Sequence, residues 1–181
     1  EAGREGVVTS RSRLRNVGAS AYSVDRIMAA TMLVPQGPAT LTSFTGMWGR
    51  EMHAVESGLP SGLWLQESRR GRTSHDRWPG LFVRADGVAY GIHLGWSGNH
   101  VIAVDTLDDG RRLLHAGQLF EPGEVQLAPG QVHETPVAYL TAAEGSVEEA
   151  SARYRRFVSG SLLPWPATGM PPVARTRCWV L

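Results

Sequence analysis

The chain is a succession of short apolar runs separated by glycine- and proline-rich punctuation, the pattern of a sheet protein with many tight turns. Asp86-Gly87 divides Gly80-Leu81-Phe82-Val83 from Val88-Ala89-Tyr90-Gly91-Ile92-His93-Leu94, and Asp109-Gly110 divides Val101-Ile102-Ala103-Val104 from Arg111-Arg112-Leu113-Leu114. Both dipeptides tolerate the positive φ that tight hairpins require. Pro122-Gly123 and Pro129-Gly130 bracket Glu124–Ala128, whose alternation suits a half-buried strand. These segments are expected to be antiparallel neighbours. Upstream, Ser10-Arg11-Ser12-Arg13-Leu14-Arg15 predicts one exposed or edge strand, because alternate arginines are costly on a buried face.

The period changes only near the end. Ser146 stands at an N-cap with Glu149 at capping-box spacing, and Val147, Ala150, Tyr154, Phe157 and Ser161 then share one helical face. Glu149 and Arg153 are placed to pair at i,i+4. The Leu162-Leu163-Pro164-Trp165-Pro166 segment is expected to stop this helix. The expectation is therefore an all-β fold of antiparallel sheets with one helix near the C-terminus. A β-sandwich domain is expected over 1–163 and a Pro-rich linker with its tail over 164–181.

Composition narrows the chemistry. With 181 residues, 42% hydrophobic and 19% charged, and a formal net charge of +1, the chain reads as one globular domain. Nucleic acid is not expected as a partner, nor is a membrane, since no apolar run approaches the roughly 18 residues needed to span one. All 18 basic residues are arginine, so lysine Schiff-base and lysine general-base chemistry have no residue to act through. The single cysteine, Cys178, allows no disulfide within the chain and points to the cytoplasm.

Three clusters are dense in side chains able to bind: Ser43–His53 around Trp48, Glu67–His75, and Gly95–His100 around Trp96. Together they mix aromatic, amide, hydroxyl and arginine groups around glycines, which suits a sugar, because a pyranose face stacks on tryptophan while polar groups take its hydroxyls. Against this stands the reading in which Trp48 and Trp96 are core aromatics and the glycines mark bulges and turns. The six histidines match no metal-ligand spacing, so neither a metal nor a cofactor is expected. Gly95-Trp96-Ser97-Gly98 brings its second glycine one place too early for a nucleophile elbow. Glu51, Glu67, Glu134 and Asp108-Asp109 supply carboxylates, but Glu51 and Glu67 lie among arginines and Asp109 precedes a turn glycine. None forms a convincing acid and base pair.

In order, the stretches LTSFTGMWGRE, ESRRGRTSH, YGIHLGWSGNH and LAPGQVHETPVAYL, followed by the YRRFV helix, resemble the amino-terminal domain of glycoside hydrolase family 36, the α-galactosidases. The resemblance runs from about Ser10 to Pro172. It implies a β-supersandwich standing ahead of a catalytic (β/α)8 barrel, whose two aspartates cleave terminal α-galactosyl groups by a retaining mechanism. No catalytic residue is then expected within this chain. The resemblance implies one substrate-binding residue, Trp48, which would reach the active site of a neighbouring subunit in a homo-oligomer while Arg50 and Glu51 brace it. The α-galactoside partner would be met through the complete enzyme. The ending Ala174–Leu181 departs from the family pattern, so the chain is expected to be a truncated or frame-shifted fragment, with its own leading strands missing and an edge left unpaired. The alternative from another class is a stand-alone, lectin-like β-sandwich that binds carbohydrate by itself.

Overall fold

The structure, a computed structural model, describes residues 5–72 and 77–162. In chain order the strands are β1 (Val7–Ser10), β2 (Arg13–Arg15), β3 (Tyr22–Val24), β4 (Arg26–Val34), β5 (Ala39–Met47), β6 (Arg50–Gly58), β7 (Leu63–Ser68), β8 (Gly80–Ala85), β9 (Val88–Leu94), β10 (His100–Thr106), β11 (Arg112–Leu119), β12 (Val125–Leu127), β13 (Val132–Glu134) and β14 (Ala138–Glu144). One helix, α1 (Val147–Phe157), runs on into a π-helical turn, Val158–Leu162.

Two antiparallel sheets carry the domain, a six-stranded one ordered β1-β14-β9-β8-β5-β6 and a four-stranded one ordered β4-β11-β10-β7. They meet through alternate residues, as the two-residue period of a strand dictates. Leu81, Val83, Ile92 and Leu94 from the first sheet, and Ile102, Val104 and Leu114 from the second, are all buried in one shared core. Each contributes about 1.5–3 kcal/mol on leaving water.

The expected hairpins form as β8–β9 and β10–β11. At the first turn Asp86 and Gly87 both take positive φ, 48° and 72°, the geometry that matches the twist of the flanking strands. The Val125–Leu127 strand also forms, but it pairs with β3 and has no hairpin neighbour. The Ser10–Arg15 expectation needs correcting as well, for two strands stand where one was expected. β1 joins the edge of the six-stranded sheet through β14, while β2 pairs with β13 in a separate ribbon. Ser12 divides them, its backbone exchanging hydrogen bonds with Thr135.

The helix begins as the capping-box spacing requires, with the Glu149 amide donating to Ser146 Oγ at 3.4 Å. Its apolar stripe lies on the outer face of the six-stranded sheet, where Ala150 joins Phe82, Ala89 and Ala143 in a second buried cluster. Arg153 does not pair with Glu149 as the spacing suggested; it donates to the Ala142 carbonyl on β14 and so ties the helix to the sheet. The residues expected to stop the helix from Leu163 onward, and the expected linker over 164–181, lie outside the described residues.

Candidate functional site

The first cluster forms the far end of the β5–β6 hairpin. β5 pairs with β8 only over Ala39–Ser43; beyond that its strand partner is β6, and the Trp78 amide donates to the Phe44 carbonyl at 3.3 Å. What projects is a two-stranded arm, and all nine residues of β6 are exposed. Near the tip the register slips by one residue, with Glu51 and Met52 together opposing Gly46. Met52 takes a φ of 62°, and a Cβ at Gly46 would stand 2.3 Å from the Arg50 carbonyl oxygen. Glycine is therefore obligatory at 46 for the bulge to close.

Trp48 occupies the turn beyond this bulge, beside Gly49 at a φ of 77°. It is 72% exposed, and Met47 next to it is exposed too. The Glu51 carboxylate spans the turn and accepts from the Gly49 amide at 2.8 Å. An indole held in water at the tip of a braced arm is a ready aromatic surface for a ring to stack on.

The arm is rooted in a ring of aromatics. Phe44 meets Trp78 edge-on with centroids 5.2 Å apart, Trp78 stacks on His93 at 4.6 Å, and His93 faces Tyr139 at 6.3 Å. Tyr154 on the helix donates its hydroxyl to the Tyr139 carbonyl at 2.9 Å. Between the arm, the sheet and the end of the helix these side chains line an apolar cavity of about 620 Å³. Burial pushes the His93 imidazole down to about 4 from 6.5, opposed in part by the Pro79 backbone and reinforced by nearby His100, so His93 is neutral at pH 7.

The second and third clusters come together, and Gly95 of the third also lines the cavity at the root of the arm. β7 and β10 are neighbours, and the Gly71 amide donates to Asn99 Oδ1 at 2.7 Å. Trp96 lies folded over Gly98, 39% exposed, with its ring N–H donating to the Asn99 carbonyl at 3.2 Å. His100 is fully buried, its Nδ1 3.2 Å from the Gly98 carbonyl oxygen. His75 lies outside the described residues.

The carboxylates stay apart. Glu51 is on the six-stranded sheet, whereas Glu67 is on the four-stranded one and pairs with Arg69 at 3.1 Å. Asp109 caps its own turn, accepting from the Arg111 amide at 3.0 Å and from its guanidinium at 2.7 Å, which holds the carboxyl below its usual range. Glu134 is paired with Arg11 at 3.0 Å. Among the described residues no group of three or more His, Cys, Asp or Glu side chains converges as metal ligands would.

Sequence reasoning missed Trp78 and Tyr139 around His93. In the structure His93 shares the outer face of its strand with Ala89, and nothing local in the sequence links that face to residue 78 or to β14.

The described residues form a β-sandwich with one helix on the outer face of its six-stranded sheet and a projecting hairpin arm tipped by an exposed tryptophan. The chain belongs to the glycosyl hydrolase family 36 N-terminal domain family, which matches residues 2–128. It is 31% identical over 174 residues to an α-galactosidase of Escherichia coli, covering 93% of this chain and 24% of that protein. It is 25% identical over 156 residues to the α-galactosidase AgaA of Geobacillus stearothermophilus, covering 82% of this chain and 21% of that protein. The fold is shared with the galactosidase domain of the α-galactosidase-sucrose kinase AgaSK, at a TM-score of 0.80 and 22% identity over 86% of this chain and 22% of that one. The chain thus spans under a quarter of the length of the relatives it matches.

Proposed function

We propose that this chain is the non-catalytic front domain of an α-galactosidase, and that its β5–β6 arm makes subunit contacts and carries Trp48 to the sugar site of a neighbouring subunit. Hydrolysis of terminal α-galactosides would be the work of a catalytic domain outside this chain. The observation that carries the reading is the arm itself: an indole 72% exposed at the tip of a ribbon whose outer strand has no buried residue. A two-stranded ribbon gains little stability alone, and a long bare edge invites unwanted pairing. Such an arm makes physical sense when a second subunit covers it. The α-galactosidases among the relatives support the substrate class. The separation of Glu51 and Glu67 onto different sheets supports the non-catalytic part. The single Cys178 supports a cytoplasmic setting.

Two measurements test this. The 181-residue chain alone should not hydrolyse a nitrophenyl α-galactoside; turnover abolished by Glu51→Gln or Glu67→Gln would refute the non-catalytic reading. Joined in place of the matching front quarter of the Escherichia coli relative, the chain should support activity. Trp48→Ala should then lower kcat/KM about tenfold, the loss of one aromatic contact worth about 1–1.5 kcal/mol. An unchanged kcat/KM would remove Trp48 from the sugar site.

A further inference from the structure

The arm is not the only place where an aromatic ring stands in water beside polar groups. Tyr22 on β3 is 59% exposed and borders a cavity of about 430 Å³ at the end of the four-stranded sheet. The floor of the cavity is apolar, formed by buried Val24 and Phe120. Its walls are charged: Asp25 just before β4 and Arg26 at its start, Glu67 near the end of β7 and Arg69 just beyond it. Arg69 is fixed from two sides, by Glu67 at 3.1 Å and by Glu121 at 3.6 Å.

We infer that this cavity is a binding site for a neutral pyranose sugar, separate from the arm. Three features select that class of ligand. The charges alternate in sign, two carboxylates against two guanidiniums on the walls, so an ion of either sign would meet repulsion from half of its contacts. A sugar hydroxyl meets none, because it can accept from a guanidinium that only donates and donate to a carboxylate that only accepts. The Tyr22 ring and the apolar floor match the C–H face of a pyranose, which an open-chain polyol does not present. The volume lies within the usual range of small-ligand sites, roughly 300–1,000 Å³. The inference does not depend on the arm, since Tyr22 is on the β3–β12 ribbon and Trp48 is in the turn between β5 and β6.

Calorimetric titration of the 181-residue chain with D-galactose and with raffinose tests the site. Saturable binding of at least one sugar is expected. Tyr22→Ala should weaken it about tenfold, while Tyr22→Phe, which keeps the ring, should stay within about twofold. Glu67→Gln, which leaves the ring in place, should weaken it as well. Trp48→Ala should leave it unchanged, and sorbitol should not bind. The inference is overturned by the absence of saturable binding of either sugar, by sorbitol binding as tightly as the sugars, or by a loss confined to Trp48→Ala. The last result would move sugar binding to the arm and leave the role proposed for Trp48 standing.

Discussion

The six-stranded sheet is built in two different ways along its width. Across β14, β9 and β8 it is covered on both faces, by the four-stranded sheet on one side and by α1 on the other. Across all of β6 every residue is exposed, and of the far half of β5 Phe44 is the side chain packed against the covered cluster. The β5–β8 ladder stops at Ser43, so the arm is joined to the sheet over only part of its length. Side chains widen the difference. β9 offers Ile92 and Leu94 to one face and Ala89, Gly91 and His93 to the other, while β6 reads Arg50-Glu51-Met52-His53-Ala54-Val55-Glu56-Ser57-Gly58, with too little apolar surface on either face to hold a layer against it. The covered half keeps the domain folded, and the bare half is free to make contacts outside it.

Substitutions should separate these halves most clearly in the shared core. Ile92→Ala is expected to cost about 2–5 kcal/mol in denaturant unfolding, as a buried aliphatic truncation that leaves a cavity. The next effect is one of pH. An unfolded imidazole titrates near 6.5 and His93 in the fold at about 4, so the unfolded chain binds the extra proton between those values. His93 then leaves stability undiminished above pH 6.5 and withdraws about 3 kcal/mol as pH falls from 6.5 to 4. His93→Phe should flatten that part of the stability profile, and an unaltered slope would mean the imidazole is hydrated in solution. Tyr154→Phe, which removes one hydroxyl donor to the Tyr139 carbonyl, should cost about 1 kcal/mol. Trp48→Ala on the bare half should change stability by less than about 0.5 kcal/mol. A loss at Trp48 as large as that at Ile92 would show the arm to be packed against the body, and the contrast between the halves would collapse.

Much of this was legible beforehand because it is local. The Asp86-Gly87 and Asp109-Gly110 turns specify their own hairpins, and the Ser146 cap with the Ala150, Tyr154 and Phe157 stripe specifies the helix and the face it buries. The resemblance carried by GMWGRE placed Trp48 at a site of interest, and the fold sets it on an exposed tip. Other features were out of reach of local rules. The Ser10–Arg15 segment reads as one strand by alternation, and only its partners, β14 for one part and β13 for the other, divide it.

The three polar clusters look alike in sequence, each with glycines, two of them with arginines and two with a central tryptophan. The sequence by itself determined the turns, the helix, the all-β class and the family. The tertiary structure alone decided that Gly71 meets Asn99 while Trp48 stands apart, that Trp78, His93 and Tyr139 form one stack, and that Tyr22 shares a cavity with Glu67 and Arg69. The physical reason is the range of the forces involved. Turn and capping preferences act between residues a few positions apart, whereas a cavity wall is assembled by strand pairings whose register is set across the whole sheet.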